Sequence, residues 1–363
     1  MKHITCFIAS LSSGGAEHQL SELAHMLIDN GYKITFVTFA DVKDHYVLNK
    51  EINRVHICKN NNSIIKSLGV FLYFLKTKTD CIISFGQREN LLVLLPLLFR
   101  PKIKVIAGER NLTIGKQSNI EKILFKYLYK RANWIVPNSY SQNKYLLNNC
   151  PHYKNKIKTI INFTDYNKYT TCYNIHNNPL IIGVFSRYSK QKNYERFAFS
   201  IKKLKKASPI PFVIYWYGNQ KFKDKMPNPE YLRFSKIIKD LQIEDVLKLN
   251  NHINNVHEVM ARIDAFCLPS LYEGFSNSLS EAICCGKPII ASNVSDNPYM
   301  VKDGINGFLF NPYDVDDISN SLLKFLMLSE KEKKNFGIKS REFSIKIFNK
   351  DNFIKKYIEI IER

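Results

Sequence analysis

Short, continuous apolar runs separated by helix-length segments constrain this 363-residue chain more than any other feature. They fall at residues 3–9, 33–39, 80–85, 104–107, 134–137 and 158–162, then again at 180–185, 212–217, 247–250, 265–268, 288–291 and 307–310. Each is rich in Ile, Val or Phe and apolar without alternation, which predicts strands covered on both faces. Strands that alternate with helices predict an α/β chain with parallel, doubly wound sheets. The rhythm breaks once, at 166–179, a polar Asn-rich stretch ending in Pro179. It reads as a linker between two similar domains, 1–172 and 178–345. The final segment carries Phe353, Ile354, Tyr357, Ile358 and Ile361 at helical spacing.

Hydrophobic residues are 45% of the chain and charged residues 23%, enough apolar material for two packed cores and too much for disorder. No run approaches the roughly 18 apolar residues of a membrane span, and the longest, 91–99, is broken by Pro96. The first nine residues are too short a run for a secretory signal, contain Thr5, and read as a first strand entering a Gly loop. The eight cysteines show no zinc spacing, and Cys284 and Cys285 are adjacent, so reduced thiols and a cytoplasmic location are expected. The net charge is +21, of which +13 arises up to Cys172 from 24 Lys and Arg against 11 Asp and Glu. Such a surface favours an anionic partner: substrate phosphate, acidic lipid or nucleic acid.

The richest constellation lies at 268–291. A strand ends near Pro269, a loop carries Glu273 and Gly274, and a helix begins near Asn277 or Ser278 and stops at Gly286. Glu273 is thereby expected at the C-terminal edge of a sheet, where open α/β folds bind ligands. The helix start offers unpaired N–H groups to a diphosphate. Glu281, one turn in, suits sugar hydroxyls, although Ser278-x-x-Glu281 also spells a capping box. Arg187 and Lys192 follow another strand end; two cations there suit the charge that develops on a departing diphosphate, while the spacing alone favours a solvated basic loop. Gly14 and Gly15 follow the first strand and let backbone approach a phosphate or acceptor. The pattern is not GxGxxG, and no acidic residue closes the next strand, which disfavours a nicotinamide enzyme. No metal site is evident: the nine histidines are scattered and no Asp-x-Asp sits at a strand end.

The segment 268–291 closely resembles the signature of family-4 (group 1) glycosyltransferases, in which two glutamates eight positions apart flank a Gly-Phe turn. Arg187 with Lys192, Gly14-Gly15-Ala16-Glu17, Glu109-Arg110-Asn111, Asn162-Phe-Thr-Asp165 and Asp303-Gly-Ile-Asn-Gly307 resemble further stretches of the family. The match is firm from Gly183 to Phe310 and looser before it. Asn193 stands where many relatives have Gly, and Gly108 where some have Ser. A His that some relatives place on the N-terminal side has no match, and His18 reads as a surface residue.

The resemblance implies the GT-B fold: two Rossmann-like domains whose parallel sheets face across a cleft, with a last helix, about 349–363, crossing back to the first. It implies a retaining, metal-independent transfer of a hexose or N-acetylhexosamine from a nucleotide sugar, UDP-linked by analogy, to a glycan or lipid-linked acceptor in bacterial surface polysaccharide synthesis. The sugar nucleotide is a co-substrate; no cofactor is expected. Glu273 would face the donor sugar, Arg187 and Lys192 the diphosphate, and Glu281 the ribose, with Gly274, Phe275, Ser276 and Asn277 lining the donor. Glu109 is the candidate on the acceptor side. The rivals are another GT-B enzyme, an epimerase or phosphorylase, and a basic nucleic-acid-binding protein, for which no recognition module appears. Lys122, Lys126 and Lys130 lie four apart beside Ile123, Leu124, Tyr127 and Leu128. Either that apolar face is core and the lysines are solvated, or the segment docks on the anionic inner face of the plasma membrane.

Overall fold

The computed structural model describes the chain except residues 13, 58–61, 111–118, 172, 174–177, 222–225 and 254, and except the side chains of 119–122. Two units result: Met1–Phe163 with Lys350–Arg363, and Thr164–Asn349. The polar stretch read as a linker therefore groups with the second unit, which starts at Thr164 rather than near residue 178.

The first unit runs β1 (His3–Phe7), α1 (Gly15–Asp29), β2 (Lys33–Thr38), β3 (Asn53–His56), α2 (Ser63–Lys76), β4 (Cys81–Phe85), α3 (Gln87–Leu97), β5 (Lys104–Glu109), α4 (Asn119–Leu128), β6 (Trp134–Pro137) and α5 (Tyr140–Asn149). Its strands form one parallel sheet in the order β3-β2-β1-β4-β5-β6. Both faces are covered, as the unbroken apolar runs require. Ile4 and Cys6 of β1 join a core with Leu20, Leu23 and Leu27 of α1. Phe7 points to the other core, with Phe74 of α2 and Val93 and Leu97 of α3.

One expected strand is absent here and one unexpected strand is present. Residues 158–162 form no strand; the chain runs extended beside β6, with Lys158 and Ile160 donating their N–H groups to the Ile135 and Pro137 carbonyls at 3.0 and 3.1 Å. The sixth strand is instead β3, sequence NRVH, which has no apolar run because it sits at the sheet edge with its residues exposed or half-buried.

The second unit runs β7 (Leu180–Phe185), α6 (Tyr194–Ala207), β8 (Phe212–Gly218), α7 (Pro229–Asp240), β9 (Leu247–Asn251), α8 (Val256–Arg262), β10 (Ala265–Leu268), α9 (Asn277–Cys284), β11 (Ile289–Ser292), α10 (Asn297–Met300), β12 (Gly307–Phe310), α11 (Val315–Met327) and α12 (Glu330–Ile347). Its sheet is also parallel, ordered β12-β11-β10-β7-β8-β9. Trp216, Phe197, Phe234 and Phe325 are fully enclosed in its core.

The last helix, α13 (Lys350–Glu362), packs in the first unit with Phe353, Ile354 and Tyr357 buried. A buried guanidinium fastens it. Arg110 lies over the Phe85 ring at 3.3 Å, donates to Asn162 Oδ1 at 3.2 Å and to the Tyr357 hydroxyl at 2.9 Å. Two motifs that look unrelated in sequence, Glu109-Arg110 and Asn162, thus meet at the terminal helix. Among the described residues the cysteines at 6, 81, 150, 267, 284 and 285 are free thiols, and no helix is long and apolar enough to cross a membrane.

Tyr357→Phe removes an acceptor from a guanidinium that stays buried, and is expected to destabilise the first unit by about 1.5–3 kcal/mol. The check is the midpoint of chemical denaturation against wild type; an unchanged midpoint would show that this bond does not hold α13.

Candidate active site

In each sheet the strand order reverses once, and the loops on either side of that reversal leave the same edge. In the second unit the reversal lies between β7 and β10, which pair directly. Open α/β sheets bind ligands outside the C-terminal ends of their strands at this point. The loop after β7 carries Arg187 and Lys192; the loop after β10 carries Glu273.

The two loops are stitched together. The Leu271 N–H donates to the Gln191 carbonyl at 2.9 Å, and Gln191 Nε2 donates to the Tyr272 carbonyl at 2.9 Å. Between them Lys192 Nζ and Glu273 Oε1 form a buried ion pair at 2.5 Å. The Glu273 N–H is itself held by Ser295 Oγ at 3.0 Å. Glu273 is therefore not an open loop carboxylate; it is locked by a charge and a backbone bond. Asn193, next to Lys192, adopts φ 58°, the left-handed region that glycine and asparagine tolerate. Its side chain donates to the Pro312 carbonyl at 2.7 Å, a contact no glycine could supply. Arg187 is exposed at the end of β7.

The helix after the glutamate loop starts where the sequence suggests, with a different cap. Ser276, not Ser278, is the N-cap, and its hydroxyl accepts from the Leu279 N–H at 3.4 Å. Glu281 is thus past the first turn and has no capping duty. It is half-buried, and burial pushes its carboxyl up to about 7. Phe275 is buried and packs edge-on against Phe348, centroids 6.1 Å apart. Its ring anchors the turn from inside. Gly274 and Asn277 are half-buried in the same turn. Gly286, φ 68°, ends α9 where a Cβ would strike the Tyr173 ring at 2.6 Å. Lys287 beyond it is buried and donates to the Ile263 carbonyl at 2.9 Å, which closes the end of α8.

The remaining candidates lie in the first unit. Gly14 is the N-cap of α1. A side chain there would collide with the Glu17 carboxylate, which folds back over the helix start. The Glu17 carboxylate thus lies beside Gly14 at the start of α1. Gly86 and Glu89 repeat this device at α3. Glu109 is buried at the end of β5. Its Oε1 accepts from Asn90 Nδ2 at 2.9 Å and from the Tyr129 hydroxyl. Burial pushes its carboxyl up to about 7, with those two bonds and Arg110 opposing. It is an enclosed group rather than one open at a surface. His18 is half-buried, its ring stacked on Tyr46 with centroids 5.2 Å apart, not a free surface residue.

The lysine stripe of the first unit is interrupted. α4 ends at Leu128, and Lys130 falls on the following 3-10 turn, Tyr129–Arg131. Lys126 is exposed, and the side chain of Lys122 lies outside the described residues. Leu128 is core, whereas Ile123, Leu124 and Tyr127 are exposed, so most of that apolar face is not core. Among the described residues no group of three or more His, Cys, Asp or Glu could hold a metal ion.

The sequence matches known proteins along this same region. Residues 168–343 fit the family model described as glycosyl transferases group 1. The chain is 25% identical over 309 residues, 81% of each protein, to the Campylobacter jejuni N-acetylgalactosamine-N,N'-diacetylbacillosaminyl-diphospho-undecaprenol 4-alpha-N-acetylgalactosaminyltransferase. It is 28% identical over 218 residues to the Escherichia coli UDP-Gal:alpha-D-GlcNAc-diphosphoundecaprenol alpha-1,3-galactosyltransferase, spanning 56% of this chain and 53% of the relative. Among solved structures, Anabaena HepE in complex with UDP and glucose superposes with a TM-score of 0.84 over 100% of both chains, at 18% identity. The chain has the GT-B fold, and the match to the group 1 glycosyltransferases lies in its second unit.

Breaking the Lys192–Glu273 pair from either side leaves a buried charge. Lys192→Met and Glu273→Gln are each expected to destabilise the second unit, by up to about 3–5 kcal/mol. The double variant should lose much less than the sum of the two. Additive losses in a double-mutant cycle of denaturation midpoints would show that the pair is not coupled.

Proposed function

We propose that this protein is a retaining, metal-independent glycosyltransferase that moves a hexose or N-acetylhexosamine from a UDP-sugar to a lipid-linked or glycan acceptor in the assembly of a bacterial surface polysaccharide. The observation that carries the reading is the buried Lys192–Glu273 pair at the switch point of the second unit, with Arg187 on the same loop as Lys192. The relatives' names support the chemistry: one names a diphosphoundecaprenol-linked glycan and N-acetylgalactosamine, the other UDP-Gal and a diphosphoundecaprenol-linked sugar.

The residues suit this division of labour. An ammonium has three N–H donors. The bond to Glu273 engages one donor of Lys192, and the others serve a diphosphate. Glu273, fixed by Lys192 and Ser295, accepts from donor-sugar hydroxyls. Glu281 accepts from the ribose. In the reaction the bond between the anomeric carbon and the β-phosphate oxygen breaks, and its electron pair leaves on UDP. Positive charge spreads over the sugar ring, while Arg187 and Lys192 neutralise the phosphate. The acceptor hydroxyl attacks from the face that UDP leaves, which retains configuration, and its proton passes to the departing phosphate. Two cations do here what a divalent ion does elsewhere.

The reading is tested by calorimetry with UDP, GDP and ADP, and by product analysis with UDP-sugars in excess EDTA. UDP should bind, and UDP should be released only when a glycan or undecaprenyl diphosphate-linked sugar is present. Arg187→Ala should weaken UDP binding by about 1.5–3 kcal/mol, the cost of a lost charge-assisted bond. Isomerised donor, sugar phosphate formed from inorganic phosphate, or activity lost to EDTA and restored by manganese would overturn it.

Glu281 adds a pH signature. Its carboxyl is raised to about 7, so it is neutral below that pH and becomes a full acceptor above it. UDP affinity should therefore rise as pH passes through 7, and Glu281→Gln should remove that rise. A parallel pH profile in wild type and variant would take Glu281 out of the ribose contact.

A further inference from the structure

The first unit has an outer surface that its own fold leaves uncovered. α2, α3 and α4 pack side by side on one face of the sheet. Their inner residues, Val70 and Phe74, Val93 and Leu97, Phe125 and Leu128, share one core. The side of each helix turned away from that core consequently faces the same direction. It is apolar where a water-facing helix would be polar. Ile64, Leu68 and Leu72 form a stripe at four-residue spacing along α2. Ile64 is 78% exposed, Phe99 beyond the end of α3 is 69% exposed, and Tyr127 of α4 is 57% exposed, with Ile123 beside it. Of fourteen residues in α2, only Val70 and Phe74 are buried.

Among the described side chains, the exposed charged groups of these helices are basic: Lys76 on α2, Arg88 on α3 and Lys126 on α4, with Lys102 and Lys130 exposed beside them. Lys66 is half-buried and paired with Asp41 at 2.8 Å, and Glu89 is half-buried over the start of α3. The Lys130 ammonium sits over the exposed Tyr127 ring at 5.4 Å. An apolar plane fringed by ammonium groups is matched by a bilayer whose hydrocarbon takes the side chains and whose phosphates take the charges. A second copy of this chain would set one basic rim against another, which like-charge repulsion opposes.

We propose that the outer face of α2, α3 and α4 is an interfacial membrane-binding surface, which inserts Ile64, Leu68, Leu72, Phe99, Ile123 and Tyr127 into the headgroup region of an anionic bilayer. Its occupant is the lipid surface rather than one lipid molecule. The surface serves the reading of a lipid-linked acceptor and rests on it for its purpose; its chemistry is independent of the donor.

The test is flotation of the full-length protein with phosphatidylcholine vesicles, with and without phosphatidylglycerol. Wild type should float with the phosphatidylglycerol vesicles at low salt, and less at high salt as the charges are screened. The triple variant Leu68→Ser, Phe99→Ser, Tyr127→Ser should partition at least about tenfold less at the same salt. The variant Lys76→Glu, Lys126→Glu, Lys130→Glu should lose the preference for phosphatidylglycerol. UDP affinity should be unchanged in both, so a failed docking surface and a failed donor site give separate readouts. Phe99→Trp provides a measurement without loss of apolar area: its fluorescence should shift to the blue on adding vesicles. The proposal is overturned if wild type ignores anionic vesicles, if the serine variant floats as well as wild type, if the Phe99→Trp signal stays unshifted, or if light scattering shows a dimer that the serine variant dissolves.

Discussion

Parallel strand pairing is the constraint on which everything else in this molecule depends. A parallel neighbour cannot be reached by a tight turn, so the chain must leave the sheet, cross it and return. The crossing elements cover the faces, which is why the strand runs are apolar at every position. It also means that every strand leaves the sheet at the same edge. Where the strand order reverses, two such loops diverge and leave room at that edge. β7 with β10 in the second unit, and β1 with β4 in the first, are those positions. The placement of Lys192 and Glu273 is a consequence of topology before it is a matter of chemistry.

Much of this was legible in the sequence, because unbroken apolar runs have few alternatives. Eleven of the twelve expected runs contain a strand; 158–162 hydrogen-bonds along β6 without forming a strand of its own. β3 escaped notice because an edge strand buries little and its residues Asn53 and Arg54 carry no hydrophobic signal. Local chemistry was legible where one residue type answers one backbone need. Asn193 at a position of positive φ and Gly286 at a helix end are such cases.

What the sequence could not show is which residues meet across distance. The Lys192–Glu273 pair joins positions 81 apart, and neither loop alone predicts that the carboxylate is buried. Arg110, Asn162 and Tyr357 are three scattered residues until the fold brings them together. Phe275 illustrates the opposite error. It belongs to the signature of the site, yet its ring faces Phe348 in the interior. Membership of a motif shows that a turn is needed and leaves open which side chains the turn presents. Amphipathic spacing has a similar ambiguity, since it tells that a helix has an apolar stripe and not that a core awaits it. α4 divides its stripe, Phe125 and Leu128 inward, Ile123 and Tyr127 outward.

The buried lysines divide by the partners they meet. Lys287 and Lys333 are both enclosed, and each is satisfied by backbone carbonyls at a helix end: Ile263 at 2.9 Å beyond α8, Leu326 at 3.0 Å near the end of α11. There the ammonium meets the partial negative charge of a helix terminus. Lys192 pairs with a carboxylate on a neighbouring loop, held at the edge of the sheet rather than inside a helix junction. A buried ion pair contributes little to net stability, because desolvation offsets the attraction. Capping carbonyls would have sufficed if stability were the only requirement. A carboxylate held beside an ammonium instead keeps both signs of charge in place before a ligand arrives. Under the proposed function, one partner then meets sugar hydroxyls and the other phosphate oxygens.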